Sequence, residues 1–188
     1  MNEDRRFDLR RGLALELCED PVADDGASVR VRVSDTYGVL APIQPMEPPT
    51  DRTPAQALEE AARYEAPSVG SAHWLPSHRN QAAHIRAILY DFDRDPATTP
   101  EIVRRTLEAV LEKALSRGVE CIVLPYDFGL AHGGIHVESW HGVLADTLRS
   151  VEERAEGLVD LTVRLEIPSG VDAAAVAEAL AGRLRTLH

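Results

Sequence analysis

The run Cys121-Ile-Val-Leu-Pro-Tyr-Asp-Phe-Gly-Leu-Ala-His-Gly-Gly-Ile-His-Val-Glu-Ser-Trp-His141 reads as a short buried strand that breaks at Pro125 into a loop rich in glycine and histidine, followed by a helix from about Glu138. Strand, glycine loop and helix in that order are a common way for α/β proteins to hold phosphate. Gly129, Gly133 and Gly134 have no Cβ to clash, so successive backbone N–H groups can converge on an anion, and the helix start adds the positive end of its dipole. Such a site needs no charged side chain. Glycine-rich loops also serve as plain turns, and Glu138 would repel a phosphate placed too near it.

Outward from this run the elements alternate. Phe7 to Leu17 and Ser28 to Ser34 show the alternation of half-buried strands, with a turn at Asp24-Asp25-Gly26 between them. Five of the 12 prolines fall in residues 41–54, an irregular connection ending at Thr53-Pro54, where a short helix over Ala55 to Tyr64 is expected. Strand signals return at Val69 to Leu75 and at Ile85 to Phe92, the second unbroken enough to be central in a sheet. Thr98-Thr99-Pro100-Glu101 opens a long helix through Ser116 with Gly118 as its stop. Glu120 to Leu124 is a strand, Glu138 to Ala155 a helix, Leu158 to Ile167 a strand, and Val171 to Leu187 a terminal amphipathic helix.

This rhythm predicts one α/β domain over residues 1–188 with a mixed, largely parallel sheet covered on both faces, and antiparallel strands at the N-terminal side. Two Tyr-Asp-Phe triplets, Tyr90 to Phe92 and Tyr126 to Phe128, mark the exits of two central strands, so both should emerge at the same ligand-binding edge.

Twenty basic against 31 acidic residues give a formal charge of −11, which disfavours a nucleic acid duplex as partner. No apolar run reaches membrane-spanning length, and the N-terminus lacks the apolar core of a signal peptide, so no membrane partner and a cytoplasmic location are expected. Lys113 is the one lysine among 20 basic residues, an arginine bias associated with GC-rich bacterial coding. Cys18 and Cys121 lie far apart in apolar stretches, as reduced core thiols would.

Histidines cluster at His73, His78 and His84, and again at His132, His136 and His141. Gly133-Gly134 breaks any helical pairing of His132 with His136, so no metal site is expected. His132, His136 and Asp127 remain weak catalytic candidates, as acids, bases or contacts to a ligand hydroxyl. Asp91 and Asp93 follow the first triplet strand and could orient a ribose. Trp74 and Trp140 are expected as core anchors with satisfied indole N–H groups. No nucleophile sits in a recognisable elbow, so covalent acyl transfer has no candidate.

Gly70-Ser-Ala-His-Trp-Leu-Pro, Ala83-His-Ile-Arg-Ala-Ile-Leu-Tyr-Asp, the helix ending at Arg117-Gly118 and the strand to Pro125 with its glycine loop together resemble the C-terminal two-thirds of a macro domain, over about residues 70–167. That resemblance implies a three-layer α/β/α sandwich with a cleft for ADP-ribose or a related nucleotide diphosphate. Gly129, Leu130, Ala131, His132, Gly133, Gly134 and Ile135 would wrap the diphosphate, Asp91 and Asp93 would border the cleft, and Asp20 or Asp24 would stand where the family reads adenine. The family's first glycine loop, after an asparagine-rich strand end, has no match at Val33-Ser-Asp-Thr-Tyr-Gly-Val-Leu40. The resemblance therefore implies binding more than hydrolysis of ADP-ribose or a phosphate ester. No cofactor is implied. A second reading, drawn from the missing loop, is a non-catalytic macro-like assembly subunit whose cleft is filled by residues 41–54, in a homo-oligomer or with a protein partner.

Overall fold

Alternating β-branched and leucine side chains pair into seven strands: β1 (Arg6–Asp8), β2 (Leu13–Cys18), β3 (Val29–Asp35), β4 (Ser71–Leu75), β5 (His84–Tyr90), β6 (Cys121–Pro125) and β7 (Leu161–Glu166). The computed structural model describes residues 5–22, 27–36, 53, 67–77, 82–93, 98–132 and 134–184. One sheet holds all seven strands in the order β1-β2-β7-β6-β3-β5-β4. Strands β2, β7, β6, β3 and β5 run parallel, while β1 pairs antiparallel with β2 and β4 with β5. Antiparallel strands thus close both edges rather than the N-terminal side alone. The run Phe7 to Leu17 is two strands, because Arg10-Arg11-Gly12 turns the chain: Gly12 takes φ 86° and the Leu9 N–H donates to Leu13 O at 2.9 Å.

Three helices follow the sequence signals: α1 (Pro100–Ser116), α2 (Val137–Arg154) and α3 (Ala173–Leu184). Thr99 caps α1, its hydroxyl accepting from the Ile102 N–H at 3.3 Å, with Pro100 preset for the first helical position. Thr99→Ala is expected to lower stability by about 1 kcal/mol, read as a lower denaturant midpoint with an unchanged slope.

Leu13, Leu15 and Leu17 of β2, Ile85 and Leu89 of β5, Ile122 and Leu124 of β6 and Leu161, Val163 and Leu165 of β7 share one buried cluster with the apolar faces of all three helices. Each fully buried leucine or valine there contributes about 1.5–3 kcal/mol against exposure. The alternate positions, on the other face, are strongly polar: Arg164 pairs with Glu16 at 3.1 Å and Arg30 with Glu166 at 3.0 Å. Strand β5 is buried at every position, Arg86 included. Its guanidinium donates to Ser34 Oγ at 3.0 Å and Asp35 O at 3.1 Å, which satisfies the hydrogen-bond demand that burial creates.

The expected turn at residues 24–26, the connection 41–54, the helix over 55–64 and the last residues of the terminal helix lie outside the described residues. No described helix is long and apolar enough to cross a membrane. Neither cysteine is in a disulfide, and both are half-buried at the sheet rather than enclosed in the core.

Candidate functional site

A parallel sheet delivers the ends of β2, β6, β7, β3 and β5 to one edge, where ligands of α/β proteins bind. A cleft of about 520 Å³ opens there, lined by Glu19, Asp20 and Pro21 after β2, by Pro125, Tyr126 and Asp127 at the exit of β6, and by Glu166 to Ser169 at the exit of β7. Both Tyr-Asp-Phe triplets emerge at this edge.

The glycine loop leaves β6 and leans toward β5. Its shape is held internally: the N–H groups of Phe128, Leu130, Gly134 and Ile135 donate to Pro125 O (3.1 Å), Asp127 O (2.8 Å), Ala131 O (2.9 Å) and Gly129 O (2.8 Å). Gly129 adopts φ 84°, and a Cβ there would sit 2.7 Å from Val103 Cγ2 on α1. His132 also adopts a left-handed φ of 53°, an uncommon state for a residue with a Cβ. The N–H groups of Gly129, Ala131 and His132 donate to no other described residue. Fully buried Phe128 packs on fully buried Trp140 at 5.7 Å between ring centroids, fixing the loop to the first turn of α2.

Tyr90 ties the loop to the neighbouring strand exit, its hydroxyl donating to Ala131 O at 2.8 Å. Burial, with the Asp127 charge second, pushes the Tyr90 hydroxyl up to about 12. It therefore remains a protonated donor throughout the neutral range. Tyr90→Phe should cost about 1 kcal/mol of stability and weaken any ligand held by the loop, as measured by denaturation and calorimetry side by side.

Charges around the cleft divide into compensated and uncompensated groups. Glu166 accepts from Arg30 and from the Val22 N–H at 2.8 Å, and Glu19 pairs with Arg5 at 2.5 Å. Asp20 and Asp127 are exposed, and neither side chain accepts a hydrogen bond from another described residue. Behind the cleft wall the Tyr126 hydroxyl lies 3.3 Å from Nε2 of buried His141. Burial and then Arg183 hold that imidazole below its ordinary value, so it is neutral at pH 7.

No family model and no curated protein sequence matches this chain. Solved structures do. An alanine mutant of the Oceanobacillus iheyensis macrodomain superimposes with a TM-score of 0.61 at 15% identity, covering 95% of this chain and 97% of the other. The same protein's macrodomain with ADP gives 0.59 at 14%, covering 96% and 95%. The chain has the macrodomain fold. A macrodomain of Thermus aquaticus DarG gives 0.50 at 17% identity, covering 84% of this chain and all of that one (100%).

Within this macrodomain fold the sequence-derived candidates separate into two groups. Asp127 lines the cleft, and Gly129 to His132 with Gly134 and Ile135 form the loop beside it, Gly133 lying outside the described residues. Asp91 and Asp93 do not line the cleft; they sit beyond the loop at the β5 exit, where the Asp93 N–H donates to Asp91 Oδ1 at 3.2 Å. His136 is the exposed N-cap residue of α2 and makes no capping hydrogen bond with its side chain. Among the described residues no hydrogen bond joins Asp127, His132 and His136, and no three His, Cys, Asp or Glu side chains converge.

Asp20, which the macro-domain resemblance offers together with Asp24, lines the cleft directly after β2, and Asp24 lies outside the described residues. Tyr126 lines the cleft at the strand exit that the second Tyr-Asp-Phe triplet marks, whereas Glu166 and Ser169 carry no local signal, because what places them in the cleft is strand order. Trp140 is the expected core anchor, but its buried Nε1 finds no partner among the described residues, while Trp74 is half-buried with Arg117 5.5 Å above its ring.

Proposed function

We propose that this chain, as a single macro-like domain, binds ADP-ribose or a related nucleotide diphosphate at the strand-end cleft. The observation that carries the reading is the division of labour in the glycine loop. Some N–H groups fix its shape, while those of Gly129, Ala131 and His132, just ahead of α2, donate to no other described residue. Backbone donors before a helix start can hold a diphosphate without a cationic side chain, which suits a chain of charge −11.

The carboxylates orient the ligand. Asp20 and Asp127 repel phosphate but accept from amino and hydroxyl donors, so the adenosine end belongs on the Asp20 side and the diphosphate over the loop. Oceanobacillus macrodomain structures with ADP and with ADPR show such ligands for that protein, and the shared fold supports the same class here. The proposal is for binding, and it assigns no catalytic role to Asp127, His132 or His136.

A thermal-shift series tests it. At a hundred times its dissociation constant, ADP-ribose should raise Tm by about 5–10 °C, with ADP less effective and ribose 5-phosphate ineffective. No shift with ADP-ribose, ADP or NAD at millimolar concentration would overturn the proposal.

A further inference from the structure

We infer that a groove at the end of the sheet opposite the nucleotide cleft docks a partner protein, through a segment that sets an apolar side chain beside arginine or lysine. The groove, about 460 Å³, lies where β6 and β7 begin, between the loop that follows α1 and the loop that follows α2. Its larger apolar side chains are Leu115, Val119 and Leu158. Leu115 and Val119 are half-buried and pack on the core, but Leu158 is 90% exposed, the most exposed large apolar side chain among the described residues. Folding leaves nearly all of its surface in water, so a partner that covers it gains the hydrophobic free energy that folding does not use. A Cβ at Gly118 or Gly157 would meet no atom within 4 Å, so both loops leave room for an incoming chain.

Charge decides the occupant. Glu120, Glu156 and Asp160 line the same groove, all three exposed, and no lining residue is basic. Among the described residues, none of these carboxylates takes part in a hydrogen bond or ion pair. Neighbouring cations are engaged by other groups: Arg154 reaches back to Glu108 (3.4 Å) and Glu112 (3.6 Å), Arg117 lies over Trp74, and Arg11 donates to Ala155 O. Helices α1 and α2 both end at the groove, so the negative poles of two helices add to the carboxylates. A purely apolar segment would leave this field unused. A second copy of a chain of charge −11 would bring acid against acid. Arginine or lysine beside an apolar side chain complements both parts of the surface.

Amide NMR of the whole chain, titrated with short peptides of alternating arginine and leucine, arginine and serine, or glutamate and leucine, tests the inference. The arginine–leucine peptide should give saturable shifts at Val119, Glu120, Gly157 and Leu158 and bind at least about fivefold more tightly than either of the others. Leu158→Ser should weaken it about five- to tenfold, and Glu156→Gln with Asp160→Asn about threefold with a shallower salt dependence. Equal binding of either control peptide, shifts centred elsewhere, as at Asp20 and Asp127 of the nucleotide cleft, or no saturation at millimolar peptide overturns the inference. So does a dimer in sedimentation equilibrium that Leu158→Ser dissociates, since the occupant would then be a second copy.

Discussion

Gly134→Ala is expected to weaken ADP-ribose binding by more than about 100-fold, the loss of two charge-assisted hydrogen bonds. A methyl group at Gly134 would overlap Gly129 O and come 2.8 Å from the Leu130 carbonyl carbon, in the part of the loop that closes on itself. Backbone atoms cannot step aside as a flexible side chain would. Either the Gly134–Ala131 or the Ile135–Gly129 hydrogen bond must open, and the N–H groups of Ala131 and His132 then lose their common orientation. The overlap should also cost about 1–3 kcal/mol of stability, as overpacking does elsewhere. Far-UV dichroism should stay native while the heat of ADP-ribose binding disappears. Retained affinity in a folded variant would mean that the loop does not carry the ligand.

The second large effect concerns stability. Trp140 is fully buried against Phe128 and joins the first turn of α2 to the base of the glycine loop. Trp140→Ala removes that packing and should cost about 3–5 kcal/mol. For a chain of this size, Tm falls by about 6–20 °C. Trp140→Phe should cost far less, since the indole Nε1 has no hydrogen-bond partner to lose and the ring contact to Phe128 persists. Similar losses in the two variants, or a change of under about 2 °C for alanine, would contradict the role given to this ring.

Local signals sufficed wherever one element decides its own state. Thr99-Pro100 and Gly118 bounded α1 because capping is settled within a single turn, and the unbroken run from Ile85 marked a strand buried on both faces. Pro125 and the glycines after it located the loop. What composition could not reveal was partnership. That β2 lies against β7, bringing Asp20 to the cleft beside Glu166, is a property of strand order, and nothing in Leu13 to Asp20 encodes it locally. The β5 exit reaches the cleft edge as its triplet implies, while Asp91 and Asp93 are not among the residues that line the cleft. The apolar spacing of Phe7 to Leu17 continues through the turn at Gly12, so nothing in it separates β1 from β2.

The central claim is that backbone N–H groups of the glycine loop hold a nucleotide diphosphate, and amide NMR during an ADP-ribose titration tests it most directly. Saturable shifts largest at Gly129, Ala131 and His132, with Leu130 and Ile135 moving less, are the predicted result. Saturation that leaves those three amides unmoved, or no perturbation at millimolar ligand, would contradict it.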